Sequence, residues 1–342
     1  MNPKAEISVI SPHSNAPQNI VPNPPTSPDA LSIVHDFEAS IVDCYREGPE
    51  GREKVTFVRR SASVFDVLYG LGPSALMDSV TPKTLATTST PRAFRWIHLP
   101  TVNLEWIEDL MYKIQFPVEQ AVLDNVWKSY QLRGSTPHSY SFDPLCQILP
   151  NRSNASSGED SNKIILVQMP FLSYETSESL LRMTRAIRTL QGPEWAPIRP
   201  EISQHERLAK AYMSASNPGR RWSDPPLRIQ RTLDQFFDPT EEDTEYKDQD
   251  QLIMRASAQK DYPMATLAVV DQMVLWTDGI SVISSFPQRL QQGDFDTFSF
   301  INASLTQGLP CKSAHDLAAL ITAGCTDLLN SFRICNISDH VI

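Results

Sequence analysis

The apolar positions of this chain are densest between Leu267 and Arg289, LAVVDQMVLWTDGISVISSFPQR. Val269–Trp276 is apolar except for Asp271 and Gln272, and Ile280–Phe286 alternates aliphatic with small residues. Thr277, Asp278 and Gly279 separate the two runs. An Asp-Gly pair between β-rich runs predicts a hairpin whose type I′ turn holds both residues at positive φ. Such a density of Val, Leu, Ile, Trp and Phe would be a liability on an exposed edge, so the hairpin, 269–286, belongs in the middle of a sheet. Pro287 has no N–H for a ladder and should end the second strand at Phe286.

The remaining pattern predicts a series of shorter elements. Residues 1–30 hold seven prolines among Ser and Asn, a composition that buries too little surface to offset ordering entropy, and read as a disordered tail. Leu31, Ile33, Val34, Phe37, Ile41 and Val42 recur near helical spacing and predict a short helix over Leu31–Cys44. KVTFVR, Lys54–Arg59, predicts a strand, whereas Ser63–Leu71 fits helix and strand equally. Phe94–Leu99 is a short strand closed by Pro100. Asn103 can N-cap a helix striped by Leu104, Ile107, Leu110, Met111 and Ile114, and a second helical stretch, Val118–Tyr130, follows Pro117. The polar loop Arg152–Asn162 feeds KIILVQM, Lys163–Met169, a buried strand that Pro170 should terminate.

Thr176 or Ser177 can cap a helix to about Leu190, and Ile202–Met213 predicts another. After a loop over 215–227, Arg231–Phe237 leads into an acidic tract, Asp238–Asp250. Phe295–Leu305 is ambiguous, and Ser313 caps a helix over Ala314–Phe332. With no internal repeat, the expected organisation is a tail (1–30), one main domain (31–310) and a helical extension (311–342). The expected class is α/β: one main domain with a mixed or largely antiparallel central sheet and a helical C-terminal extension.

Composition narrows function mainly by exclusion. The 342 residues include 40 acidic against 30 basic side chains, a net charge of −10. Nucleic-acid binding needs a concentrated basic stripe, and Arg59-Arg60 and Arg220-Arg221 are only isolated pairs. The five cysteines are scattered and form no CxxC pair, and the N-terminus lacks a continuous apolar signal region, so a reducing, cytosolic setting is expected. No apolar stretch reaches membrane-spanning length, the nearest being Leu317–Leu329, so direct membrane insertion is not expected.

Catalytic signatures are missing, and an enzyme is not expected. His205-Glu206 opens like a zinc-protease helix, but Ala209 stands where the second His is required. Gly70-Leu71-Gly72 is a lone GxG, and no GxSxG occurs. His98, between Ile97 and Leu99 in a strand, reads as a hydrogen-bonded structural histidine. Asp238, Glu241, Glu242, Asp243, Glu245, Asp248 and Asp250 cluster in the acidic tract with only Lys247 to relieve them. Carboxylates so placed suit a weakly held, hydrated Mg²⁺, although a solvated acidic loop explains the same pattern.

A set of short stretches resembles the fungal CorA-like proteins, relatives of the CorA magnesium and zinc transporter superfamily. They are RWIHLP (Arg95–Pro100) with Asn103 and Glu105-Trp106, DPLC (Asp143–Cys146) and ILVQMPFL (Ile165–Leu172). RTLDQFF (Arg231–Phe237), DQDQ (Asp248–Gln251), VVDQMVLW (Val269–Trp276), ISSFPQR (Ile283–Arg289) and DLAALI (Asp316–Ile321) follow in the family's order. The resemblance implies a cytosolic α/β/α domain whose sheet ends in the hairpin, with helices leading toward a membrane stalk. It also implies assembly as a homo-oligomer or with membrane-bearing CorA-like subunits. The superfamily's Gly-Met-Asn motif is absent here, so the chain is expected not to conduct ions alone. The alternative expectation is a free-standing interaction or regulatory module that kept the fold.

Overall fold

The fold is given by a computed structural model that describes residues 22–48, 54–82, 91–126, 144–150, 163–191, 203–213, 230–237, 247–248, 250–251, 254–255, 266–287, 297–307 and 311–326. Its frame is one eight-stranded mixed sheet. The strands are β1 (Glu38–Glu47), β2 (Lys54–Ser63), β3 (Arg92–Leu99), β4 (Leu145–Pro150), β5 (Lys163–Thr176), β6 (Arg231–Thr232), β7 (Thr266–Thr277) and β8 (Ser281–Ser285). They lie in the order β2-β1-β3-β8-β7-β5-β4, with β6 paired to β7 off this path. Among the described strands only β3 and β8 run parallel, and every other pairing is antiparallel.

The hairpin occupies the centre of that order, as its apolar density predicts. β7 and β8 are joined over Asp278–Ser281, where the Asp278 N–H donates to the Ser281 carbonyl at 3.3 Å. The turn differs from the expected type I′. Gly279 has φ +87°, but Asp278 is not at positive φ. Glycine alone at the first central position, with Ile280 at the second, is the type II′ pattern. Asp278 serves the turn through its side chain instead: Oδ1 accepts from the N–H groups of Ile280 (2.9 Å) and Ser281 (2.6 Å). Replacing Gly279 with Val places a β-branched side chain at a left-handed φ and should destabilise the fold by about 1–2 kcal/mol. A thermal melt within a degree of wild type would contradict this account of the turn.

Helices cover both faces of the sheet. One face carries α1 (Pro28–Asp36), α2 (Val64–Leu68), α3 (Gly72–Asp78), α4 (Leu104–Lys113) and α5 (120–126). Their apolar residues join Ile41, Ile97, Leu166, Val274, Trp276 and Ile283 in one core. The pair α6 (Ser177–Gln191) and α7 (Gln204–Met213) packs beside it through Met183, Ala186, Leu208, Ala209 and Tyr212. After β6 comes the short α8 (Leu233–Phe237). The opposite face is covered by α9 (Thr297–Thr306) and α10 (Ala314–Thr326), whose Ile301, Leu305, Leu317 and Ile321 meet Val42, Phe94, Trp96, Met273 and Leu275. Trp96, Trp106 and Trp276 are among the largest fully buried side chains. Full burial of each large apolar side chain contributes about 1.5–3 kcal/mol.

Several helix starts follow their sequence signals. Asn103 Oδ1 accepts from the Trp106 N–H at 3.0 Å, while its Nδ2 donates to the Ala211 carbonyl at 2.6 Å, tying α4 to α7. Thr176 Oγ1 caps α6 through the Ser179 N–H at 3.1 Å. Ser203 and Glu206 form a reciprocal capping box at α7. Ser63 ends β2 and caps α2, so Val64–Leu68 of the undecided stretch is helical, and the ambiguous stretch before Leu305 holds the helix α9.

Three expectations are corrected. The helix predicted over Leu31–Cys44 stops at Asp36, and Glu38–Glu47 is a strand hydrogen-bonded on both sides, to β2 and β3. Helix α1 also begins at Pro28, inside the tail expected to reach residue 30. Pro170 does not end its strand: β5 continues to Thr176 along β7. β4 pairs no further along β5 than Gln168, so beyond that point β5 has, among the described residues, a ladder on one side only, where proline is tolerated. Residues 1–21 of the tail, the loop Arg152–Asn162, the loop 215–227 and the continuation of the last helix past Thr326 lie outside the described residues.

Candidate functional site

The acidic tract is the chemically open candidate, and the structure describes two of its seven carboxylates. Asp238, Glu241, Glu242, Asp243 and Glu245 lie outside the described residues. Asp248 is buried and accepts from Gln251 Nε2 at 3.4 Å, and Asp250 pairs with Arg255 at 2.5 Å. Gln251 Oε1 accepts from the Ala268 N–H at 3.1 Å, which fixes the C-terminal end of the tract to β7. Among the described residues no group of three or more His, Cys, Asp or Glu is gathered to hold a metal.

The most developed polar constellation lies inside the sheet. Asp43 on β1 stands opposite Arg95 on β3. The guanidinium meets the carboxylate in a two-point fork, Nε to Oδ1 at 2.6 Å and Nη2 to Oδ2 at 2.7 Å, and Nη1 donates to Ser74 Oγ at 2.8 Å. Both partners are buried, with 1% and 5% exposure. Arg92 approaches the same carboxylate at 3.9 Å, and its pKa is lowered by burial first and by the Arg95 charge second. Sequence reasoning passed over this pair. The available signal was a lone carboxylate in ASIVDCY and a lone cation in AFRWIHL, each surrounded by apolar residues.

On the opposite face of β3, Trp96 Nε1 donates to Ser284 Oγ at 2.7 Å, and His98 Nδ1 lies 3.0 Å from the same oxygen. His98 is fully buried beside Phe286 and Phe298, with ring centroids at 4.2 and 4.6 Å. Burial lowers its pKa from the ordinary 6.5 to about 3, so the ring is neutral at physiological pH. Its Nε2 has no hydrogen-bond partner among the described residues. It is enclosed between two aromatic rings and hydrogen-bonded to Ser284 inside the core.

His205 Nε2 and Ser179 Oγ are 3.2 Å apart and join α6 to α7. Burial, then the Arg182 charge, lowers the His205 pKa, with Glu175 opposing. Ala209, the missing zinc ligand, is a fully buried core residue. The Gly70-Leu71-Gly72 segment is a helix junction: Gly72 has φ +82°, and the Gly70 carbonyl accepts from Lys113 Nζ at 2.9 Å.

Compared with protein-family models and with curated proteins, the chain matches none. No helix among the described residues is long and apolar enough to cross a membrane.

Proposed function

We propose that this chain is a CorA-like domain of a divalent-cation transport protein, acting on the cytosolic side and assembling with copies of itself or with membrane-bearing CorA-like subunits. The observation that supports the reading best is architectural. The domain has three layers, α/β/α, and its last two strands in chain order are the central hairpin, followed in the described residues only by the helices α9 and α10. The residues that carry the resemblance occupy its frame: RWIHLP contains most of β3, VVDQMVLW lies within β7, and ISSFPQR includes the end of β8.

The cation would be met by the acidic tract. Seven carboxylates within thirteen residues of sequence repel one another where they come close, and a divalent ion relieves that repulsion. Without a closed ligand cage the ion keeps waters, so affinity is expected to be on the order of millimolar. The Gln251–Ala268 bond connects that segment to the sheet, so binding should also register at β7.

The test is a Mg²⁺ titration followed by amide chemical shifts at constant ionic strength, which separates binding from screening. Saturating shifts confined to residues 238–251 and to Ala268, abolished when Glu242→Gln and Asp243→Asn are combined, are expected. Small uniform shifts over the whole acidic surface would remove the cation-binding role and leave the tract a solubilising loop.

A further inference from the structure

The path of the sheet ends at β2 on one side and β4 on the other, and the two edges are built differently. β2 carries Lys54, Arg59 and Arg60. Arg60 donates to the Leu76 carbonyl at 2.7 Å and Arg59 to the Asn302 carbonyl at 3.1 Å, so its long cations bridge the edge to α3 and α9. Charges of this kind are how sheets blunt an edge against pairing. β4, LCQILP, has no charged residue, and β5 is its only strand partner among the described residues. Exposure alternates along it, with Cys146 and Ile148 outward. Ile148 retains 64% of its surface. Their partners on β5 are Val167 and Ile165, both only partly buried, so an apolar row two strands wide reaches the edge.

We propose that β4 is a self-association edge, to which a second copy of this chain adds its own β4 antiparallel and continues the sheet across a two-fold axis. The charge distribution permits a second copy at this edge, and the strand's own sequence favours one. The chain carries −10, so copies repel where acidic surfaces meet, while two β4 strands bring no like charges opposite each other. The strand is also self-complementary. Centred on Gln147, antiparallel pairing sets Leu145 against Leu149 and Cys146 against Ile148, apolar with apolar on both faces. Pro144 and Pro150 have no N–H and limit the pairing to the five residues between them. A contact this short falls in the transient size class, so the dimer depends on concentration and strengthens as salt screens the acidic surfaces.

The experiment combines sedimentation velocity over roughly three decades of concentration with thiol cross-linking in a Cys335→Ser background, so that Cys146 reports. In the proposed register the two Cys146 side chains are diagonal neighbours about 7–8 Å apart, within reach of a short bis-maleimide. The expected result is a dimer fraction that rises with concentration and with salt, together with a Cys146–Cys146 cross-link. Ile148→Lys, at an exposed position, and Gln147→Pro, which removes a ladder donor, should each abolish both signals. Ile148→Lys should leave the thermal melt unchanged and so carries the test if Gln147→Pro unfolds. A monomer at every concentration, or a dimer that survives Ile148→Lys, would overturn the proposal. So would a chain that stays monomeric while an extended peptide of another protein protects Cys146.

Discussion

Replacing Asp43 with Ala is expected to lower the unfolding free energy by about 3–5 kcal/mol, because it leaves a buried guanidinium without its counter-ion. Arg95 is 5% exposed and directs three of its nitrogens at Asp43 and Ser74. Water cannot take the place of the lost carboxylate without opening the contact between β3 and α3. Arg95→Lys should also be destabilising, since an ammonium cannot reproduce a planar two-point fork. The pair itself need not be strongly favourable, as desolvation of both ions offsets much of their attraction. The combined change Asp43→Leu with Arg95→Met should therefore cost less than Asp43→Ala alone. Urea denaturation of the four proteins measures this, with an unchanged m-value showing that only stability moved. A loss of under about 1 kcal/mol for Asp43→Ala would mean that the fork is not held as described.

The second large effect is a dependence on acid traced to His98. Its folded-state pKa, about 3, lies below the ordinary 6.5. Between those values the unfolded chain binds a proton that the folded chain excludes, so unfolding is favoured as pH falls. The stability is fully present above about pH 6.5 and is lost progressively toward pH 3, with a limiting slope of about 1.4 kcal/mol per pH unit from this one group. His205, also lowered by burial, acts in the same direction. Comparison with His98→Gln isolates the contribution of His98: the variant should be less stable at neutral pH but lose stability less steeply on acidification. Parallel curves for the two proteins between pH 6.5 and 4 would show that His98 is not held neutral by burial.

What the chain determined by itself was local. The central hairpin was legible because two runs too apolar for an edge flank an Asp-Gly pair, and both signals lie within twenty residues of each other. The caps at Asn103 and Thr176 were legible for the same reason, since a cap acts three residues along the chain. The exact turn was not: Asp278 binds the loop N–H groups through its carboxylate and leaves positive φ to Gly279 alone, a choice between two local solutions that composition does not decide.

Only the tertiary structure decided the elements whose partners lie far away. Ile41 and Val42 continue a helical spacing in sequence, yet they form a strand because β2 and β3 offer ladders on both sides and sheet pairing outweighs weak local propensity. Pro170 continues a strand because β4 has already ended on one side of it, a fact about the sheet and not about proline. Asp43 and Arg95 are 52 positions apart, and Trp96 and Ser284 are 188 apart. A polar residue in an apolar run announces that it needs a partner once desolvated, but its sequence neighbours do not say which one. The fold supplies that answer by bringing β1, β3 and β8 side by side.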